Sequence, residues 1–365
     1  MPTNYIPPLG GSPVFCPYKP SSSELPPLNA MTDLGLNNCI GNGSTDDRAH
    51  IIAGMDAAVA QGKRLFFPTG TYLISSFITL SSTYNNLYMY GDGATSSVFK
   101  MANPDPAIMF HCTGSTGNTW RNLGFTTSAV SNGVYAININ GGCQNWTLDN
   151  LKFTNMRFGI KIGGTTVQSS AWTVSNIDMD NCRTGLYVQD LSYSTFTNLD
   201  IDGGGHTGTG DHPLYVNVDN HYNTYSNLTL TNAGGFCLHL NGDGGTVSTH
   251  QDFDTVTMIS DTTDYSHCFT VDGYFSDCNL TNLTFTHRDN LDAPIVWYDG
   301  ATNIIIDGFT ATNDQTTAPP LQTKGVGTVC YDCELKNGTY ATPNDGTWPG
   351  VGEVDGVEVT LVVQG

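Results

Sequence analysis

Five residues near the middle of the chain have the types and spacing for acid–base work on a glycosidic bond. Asp178 and Asp180 form one Asp-x-Asp pair and Asp200 and Asp202 form another 22 residues later. His206 follows on the glycine-rich stretch Gly203-Gly-Gly-His206-Thr-Gly-Thr-Gly-Asp211-His212. A carboxyl on each side of the bond is the usual means of hydrolysing a sugar polymer: one protonates the leaving oxygen, and the other attacks or activates water. Crowded like charges disfavour full ionisation, so four clustered aspartates either bind a cation or keep one carboxyl protonated at neutral pH, as a general acid requires. Asp178, Asp180, Asp200, Asp202 and His206 are therefore the catalytic candidates. Two other readings fit the same residues. One is a hydrated aspartate ladder neutralised in part by Lys152 and Arg183, and the other is a Ca2+ site made of carboxylates and loop carbonyls. No other metal or cofactor is implied.

A second group has the composition of a sugar-binding surface. His239 and Trp297 fall on one expected outward row with Asn217 and Thr270, and Asp272 and Asp299 fall at the turns that follow. An aromatic ring such as Trp297 stacks on a sugar while carboxylates hold its hydroxyls, so His239, Asp272, Trp297 and Asp299 are candidates for binding without cutting. Cys237 and Cys268 align in neighbouring repeats and read as packed thiols, since a nucleophile needs a base fixed beside it. Cys330-Tyr-Asp-Cys333 has CxxC spacing but lacks a second such pair, and reads as a turn or a strand pair.

The elements that must position these residues are repeats. Asn122-Leu, Asn150-Leu, Asn176-Ile, Asn198-Leu, Asn227-Leu, Thr255-Val, Asn282-Leu and Asp307-Gly recur at intervals of 22 to 29 residues, about 26 on average. A second short strand recurs within each interval, as in Ile137-Asn-Ile139, Ile160-Lys-Ile162 and Leu186-Tyr-Val188, with two apolar residues inward around one outward residue. Coils of this kind stack with strands about 4.8 Å apart into an all-β, parallel β-helix. Its asparagines hydrogen-bond up and down a ladder at the turns. Aligned on the anchors, Lys152, Asp178, Asp200 and Thr229 share one outward row, and Thr154, Asp180, Asp202 and Thr231 share the next.

Composition narrows the partners. The 365 residues are 39% hydrophobic and carry a net charge of −20, which repels nucleic-acid phosphates and anionic lipid headgroups. Neither nucleic acid binding nor membrane insertion is expected: no apolar run approaches the roughly 20 residues of a membrane span. Met1-Pro2-Thr3-Asn4 lacks the basic and apolar features of a secretory signal. The 10 cysteines are scattered and read as mostly free thiols in buried slots. Residues 1–43 read as a Pro/Ser/Gly-rich arm, 44–330 as the solenoid with its N-terminal cap, and 331–365 as a C-terminal strand module that either caps the last coil or assembles chains. Ser44-Thr-Asp-Asp47 predicts the N-cap of a short helix through Ile51, Met55 and Ala58 that stops at Gly62.

The stretch from Thr45-Asp-Asp-Arg through Phe66-Phe-Pro-Thr-Gly-Thr-Tyr-Leu-Ile-Ser75 to Leu87-Tyr-Met-Tyr-Gly-Asp-Gly93 resembles the entry module of the pectate-lyase-like superfamily of right-handed parallel β-helix proteins. The resemblance is close over about 50 residues and architectural over the coils. It implies the fold, and it leaves open polysaccharide lyase, glycoside hydrolase, epimerase and virion-fibre roles. Met1 without a signal, the Pro-rich arm and the free cysteines are most like bacteriophage tailspikes and tail-fibre depolymerases. That likeness implies a virion tail location after synthesis in the host cytoplasm. It also implies a homotrimer, attachment to other tail proteins through the arm, and a host surface polysaccharide as ligand and substrate. The alternatives are a non-catalytic virion structural or adhesion protein and a cellular polysaccharide lyase or glycoside hydrolase of the pectinase type. Polygalacturonase-like enzymes carry a basic residue one or two coils beyond their histidine, and none follows His206 before Arg288.

Overall fold

The computed structural model of the chain describes residues 26–102, 107–128, 133–164, 167–206, 211–242, 247–260, 267–288, 295–298, 301–313, 321–324, 330–331, 333–341, 351–354 and 357–363. They form a right-handed parallel β-helix of about nine turns. Each coil supplies one strand to a short sheet of 10 strands and a longer, bent strand to a sheet of 20 strands. Among the described residues every pairing is parallel except Val351–Val354 against Val357–Val363.

The bends sit where the sequence places its anchors. Asn122, Asn150, Asn176, Asn198, Asn227, Thr255 and Asn282 all have φ between 51° and 58°. Asparagine tolerates this left-handed region because its short amide hydrogen-bonds locally. The bonds run from coil to coil: the Asn150 amide donates to Asn122 Oδ1 at 2.8 Å, Asn198 to Asn176 at 3.1 Å and Asn227 to Asn198 at 3.3 Å. At the last anchor the bend falls one residue later, on Gly308 rather than Asp307. Inside, Leu123, Leu151, Ile177, Leu199, Leu228, Val256 and Leu283 stack as one buried column. Aromatic neighbours stack face to face, Tyr225 and Phe253 at 4.4 Å and 7° and Trp146 and Trp172 at 5.1 Å and 9°. This packing is dispersion-rich and fixes the coil register.

The helix spans Arg48–Gln61 and ends on left-handed Gly62. Its cap differs from the sequence expectation. Asp47 is the capping residue but is fully buried, and its carboxylate accepts from Ile40 N at 2.6 Å and Gly41 N at 3.0 Å. Those loop amides would otherwise be buried without partners, so Asp47 is committed to them. Asp46 instead accepts from Arg48 N at 3.1 Å. Of the expected arm, residues 1–25 lie outside the described residues, and Leu28–Asn29 pairs with Leu65–Phe66 as part of the bent sheet. At the other end Cys333–Ala341 and Val357–Val363 continue that sheet past residue 330. Cys39, Cys112, Cys143, Cys182, Cys237, Cys268, Cys278 and Cys333 are free and buried.

Candidate active site

The aspartate rows form as their spacing predicts. Lys152 pairs with Asp178, Asp178 with Asp200 and Asp200 with Thr229, while Thr154 pairs with Asp180 and Asp202 with Thr231. Within Thr195–Asp202, Leu199 and Ile201 point into the core, so strand alternation turns Asp200 and Asp202 outward. Lys152 Nζ donates to Asp178 Oδ2 at 2.5 Å, which ties up that carboxylate. Asp200 has no such cation of its own. Partial burial, with the charges of Asp178 and Asp202 added, raises its carboxyl above the ordinary aspartate value, and Lys152 offsets only part of this.

The turn after these strands brings His206 to the same corner. Asn155, Asn181 and Asn232 stack there in the left-handed region. The His206 Nε2–H donates to Asn181 Oδ1 at 3.1 Å. Asp202 Oδ1 accepts from Gly204 N at 2.7 Å and from the Asn232 amide at 2.9 Å, which fixes the carboxylate's orientation. Gly204 has φ of 71°, and a Cβ there would lie 2.0 Å from Asn181 Oδ1, so only glycine fits. Burial and the nearby Arg183 lower the proton affinity of His206, opposed by Asp211 and Asp202. Arg183 pairs with a carboxylate outside the aspartate ladder. Its Nε and Nη2 both reach Asp211 Oδ2, at 2.8 and 2.6 Å, and the Asp211 side chain is only 3% exposed.

Past this corner lies the short sheet, whose outward row runs His111, Asn138, Lys161, Tyr187, Tyr215, His239, Thr270. Two of the expected positions are corrected. Tyr215, not Asn217, is the neighbour of His239, because Leu214-Tyr-Val216 is the paired segment rather than Val216-Asn-Val218. Val296, not Trp297, pairs with Thr270, and Trp297 pairs with Val271, one position off the expected row. Asp272 pairs with Asn241 one step beyond His239, and Asp299 lies outside the described residues. His239 faces outward from its strand yet is buried, ringed by Phe236, Tyr215 and His212. Phe236 N donates to His212 Nδ1 at 3.0 Å, so neutral His212 carries its proton on Nε2, 3.3 Å from His239 Nδ1. His212 Nε2–H thus donates to His239 Nδ1, and neutral His239 carries its own proton on Nε2, a buried atom without a hydrogen-bond partner among the described residues, as is Thr270 Oγ1 beside it. Burial holds His212 down to about 4 and His239 well below the usual histidine range.

A family model described as rhamnogalacturonase A/epimerase, pectate lyase-like, matches residues 29–240. This chain belongs to that family. The matched span holds the whole aspartate corner and ends just after His239. No curated protein matches the chain. Among solved structures, the Dettilon tailspike protein gp208 has a TM-score of 0.61 at 12% identity, covering 84% of this chain and 61% of its own. Endo-xylogalacturonan hydrolase from Aspergillus tubingensis has a TM-score of 0.61 at 15% identity, covering 90% of this chain and 98% of its own. PfbA, a surface adhesin of Streptococcus pneumoniae, has a TM-score of 0.59 at 11% identity, covering 87% and 91%. The chain thus spans about three fifths of that tailspike.

Against this family background, Asp178, Asp180, Asp200, Asp202 and His206 share one corner, whereas His239 and Asp272 lie on the short sheet. Among the described residues no three His, Cys, Asp or Glu side chains converge to hold a metal. No helix among them is long and apolar enough to cross a membrane. Sequence reasoning missed the roles of Asn181 and Asn232, which orient His206 and Asp202. Their signal was present: each is an Asn at the end of an Asp-containing outward row, at the point where the chain leaves the bent sheet.

Proposed function

We propose that this chain binds and depolymerises a host surface polysaccharide as a bacteriophage tailspike. The observation that carries the reading is the unequal treatment of two aspartates on one strand. Asp200 has its carboxyl raised toward the protonated form, while Asp202 is oriented by two donors. A carboxyl raised toward its protonated form suits a general acid, and a carboxylate held in one orientation by two donors suits the base. Asp200 gives its proton to the leaving glycosidic oxygen. Asp202 takes a proton from a water whose oxygen bonds to the anomeric carbon. Residues two apart on a strand lie about 7 Å from one another, which leaves room for that water and favours inversion at the anomeric centre. Asp178, about 4.8 Å away across the coils, stands at nucleophile spacing but is held by Lys152. His206 and Asn181 border the same corner and bind sugar hydroxyls.

The test is oligosaccharide release from purified capsular and lipopolysaccharide glycans of candidate hosts. The Asp200→Asn variant is expected to cut at least about 100-fold more slowly and to keep binding, and proton NMR of the first product should show an inverted anomer. No release from any glycan by the unaltered protein would turn the reading to an adhesin. Light scattering is expected to give about three times the 39.2 kDa chain mass, and a single-chain mass would remove the trimer.

A further inference from the structure

Another line of left-handed bends runs through Gly117, Asn145, Ala171, Tyr193, Tyr222, His250, Asp277 and Asn303, with φ between 50° and 72°. Gly, Asn, Asp and His suit this region, and tyrosine does not. Yet two successive coils place tyrosines there, at Tyr193 and Tyr222, with His250 on the next. The two tyrosines are 66% and 48% exposed. Strained backbone is kept where surrounding structure or a ligand gives a return for it. The rings are nearly parallel, Tyr193 and Tyr222 at 5.2 Å and 3°, Tyr222 and His250 at 4.4 Å and 20°. The two ends of the stack differ. Beyond His250 the next bend is Asp277, whereas before Tyr193 it is Ala171, whose side chain is a single methyl group, and no ring continues the stack on that side.

Polar groups border the stack. Gln168 is exposed and its amide reaches Asp219 O at 3.4 Å. His221 links Asp219 Oδ1 at 3.0 Å to Thr249 Oγ1 at 2.9 Å. An exposed ring with the Gln168 amide on the coil beside its open side matches a pyranose, whose C–H face stacks on an aromatic ring while its hydroxyls take hydrogen bonds. No Lys or Arg occurs between 184 and 287, and Asp219 lies one coil from Tyr193, so a carboxylated or phosphorylated sugar is disfavoured.

We propose that the open face of Tyr193, with Ala171 and Gln168, is a second glycan site that takes a neutral hexopyranose unit. It lies past the C-terminal end of Thr184–Val188, while the aspartate corner precedes the N-terminal end of that strand. The two are separated by the width of the short sheet. The site holds polymer without cutting it, and it rests on the function proposed above only in taking a polysaccharide as the ligand.

Affinity electrophoresis tests this with gels cast in dextran, mannan, galactan or rhamnan, and in alginate as the acidic comparison. The full chain is expected to be retarded by at least one neutral polymer and not by alginate. Tyr193→Ala should weaken retardation about tenfold. Ala171→Tyr, which covers the open face with another ring and leaves Tyr193 in place, should weaken it similarly, and Tyr193→Phe should behave as the unaltered protein. Circular dichroism melts check that each variant folds. Retardation by none of the neutral polymers, stronger retardation by alginate, or unchanged retardation of Tyr193→Ala or Ala171→Tyr would overturn the proposal. Asp200→Asn should be retarded like the unaltered protein. An absence of cleavage of any glycan by the unaltered protein, with its retardation intact, would count against the catalytic corner and leave the Tyr193 site standing.

Discussion

Two ion pairs flank the aspartate corner with nearly equal contact distances and opposite surroundings. Lys152 and Asp178 meet at 2.5 Å on the bent sheet with side chains 28% and 53% exposed, whereas Arg183 and Asp211 meet at 2.6 Å beside the short sheet at 19% and 3%. The same division holds for neighbouring groups. Toward the bent sheet, carboxylates keep water around them. Toward the short sheet, His212, His239 and Lys161 are all pushed toward their neutral forms by burial. One repeat, outward row for outward row, therefore offers a charged surface on one face and a desolvated polar surface on the next. What separates them is the covering of the short sheet by rings and turn segments, since both rows are outward-facing in the strand sense.

Breaking the buried pair should have the largest effect on stability. Arg183→Met leaves the Asp211 carboxylate buried without its cation and is expected to cost about 3–5 kcal/mol, read as a lower urea midpoint. A loss under about 1 kcal/mol would mean that the pair is as solvated as its counterpart. The histidines sharpen the contrast through pH. His212 has a folded value of about 4 against about 6.5 when unfolded, so the unfolded chain takes up the proton first. Stability is then intact above about pH 6.5 and falls as pH drops toward 4, by about 3 kcal/mol from this group. Urea titrations of the unaltered protein and His212→Gln should converge in that window, and parallel curves would remove the histidine from the account.

Smaller effects belong to the ladder and the exposed pair. Asn227→Ala forces a Cβ without a compensating amide into the left-handed region and breaks the bond to Asn198, with an expected cost of about 1–2 kcal/mol. Asn227→Gly should cost less, because only the ladder bond is lost. Thermal melts separate the two. Lys152→Met should cost less than about 1 kcal/mol, and the difference should shrink further in high salt.

The bent sheet could be read from sequence because asparagine at a left-handed bend is a local signal that also fixes register. Every outward residue counted from Asn150, Asn176, Asn198 or Asn227 landed in its expected row. The short sheet has no such marker. In Leu214-Tyr-Val216-Asn-Val218 the apolar-x-apolar pattern fits twice, two residues apart, and Ile295-Val-Trp-Tyr298 is apolar throughout, so alternation cannot choose a face. The coupling of Arg183 to Asp211 spans 28 residues and crosses a turn, and nothing in local pattern announces it. The stack of Tyr193, Tyr222 and His250 was hidden for a different reason. Tyrosines at bend positions run against residue preference, so they look like strand residues until the backbone is seen.

The Asn ladder has a further consequence for how this surface can change. Asp180 and Val188 are 8 residues apart, whereas Asp202 and Val216, their counterparts one coil later, are 14 apart. That added length sits in the turn carrying His206, Asp211 and His212, yet the anchors at Asn198 and Asn227 on either side keep their bond. Length is thus free to vary at the corner while the frame stays in step. A lineage could exchange this turn for another and acquire a new sugar preference in one event, with no refitting of the coils above or below it.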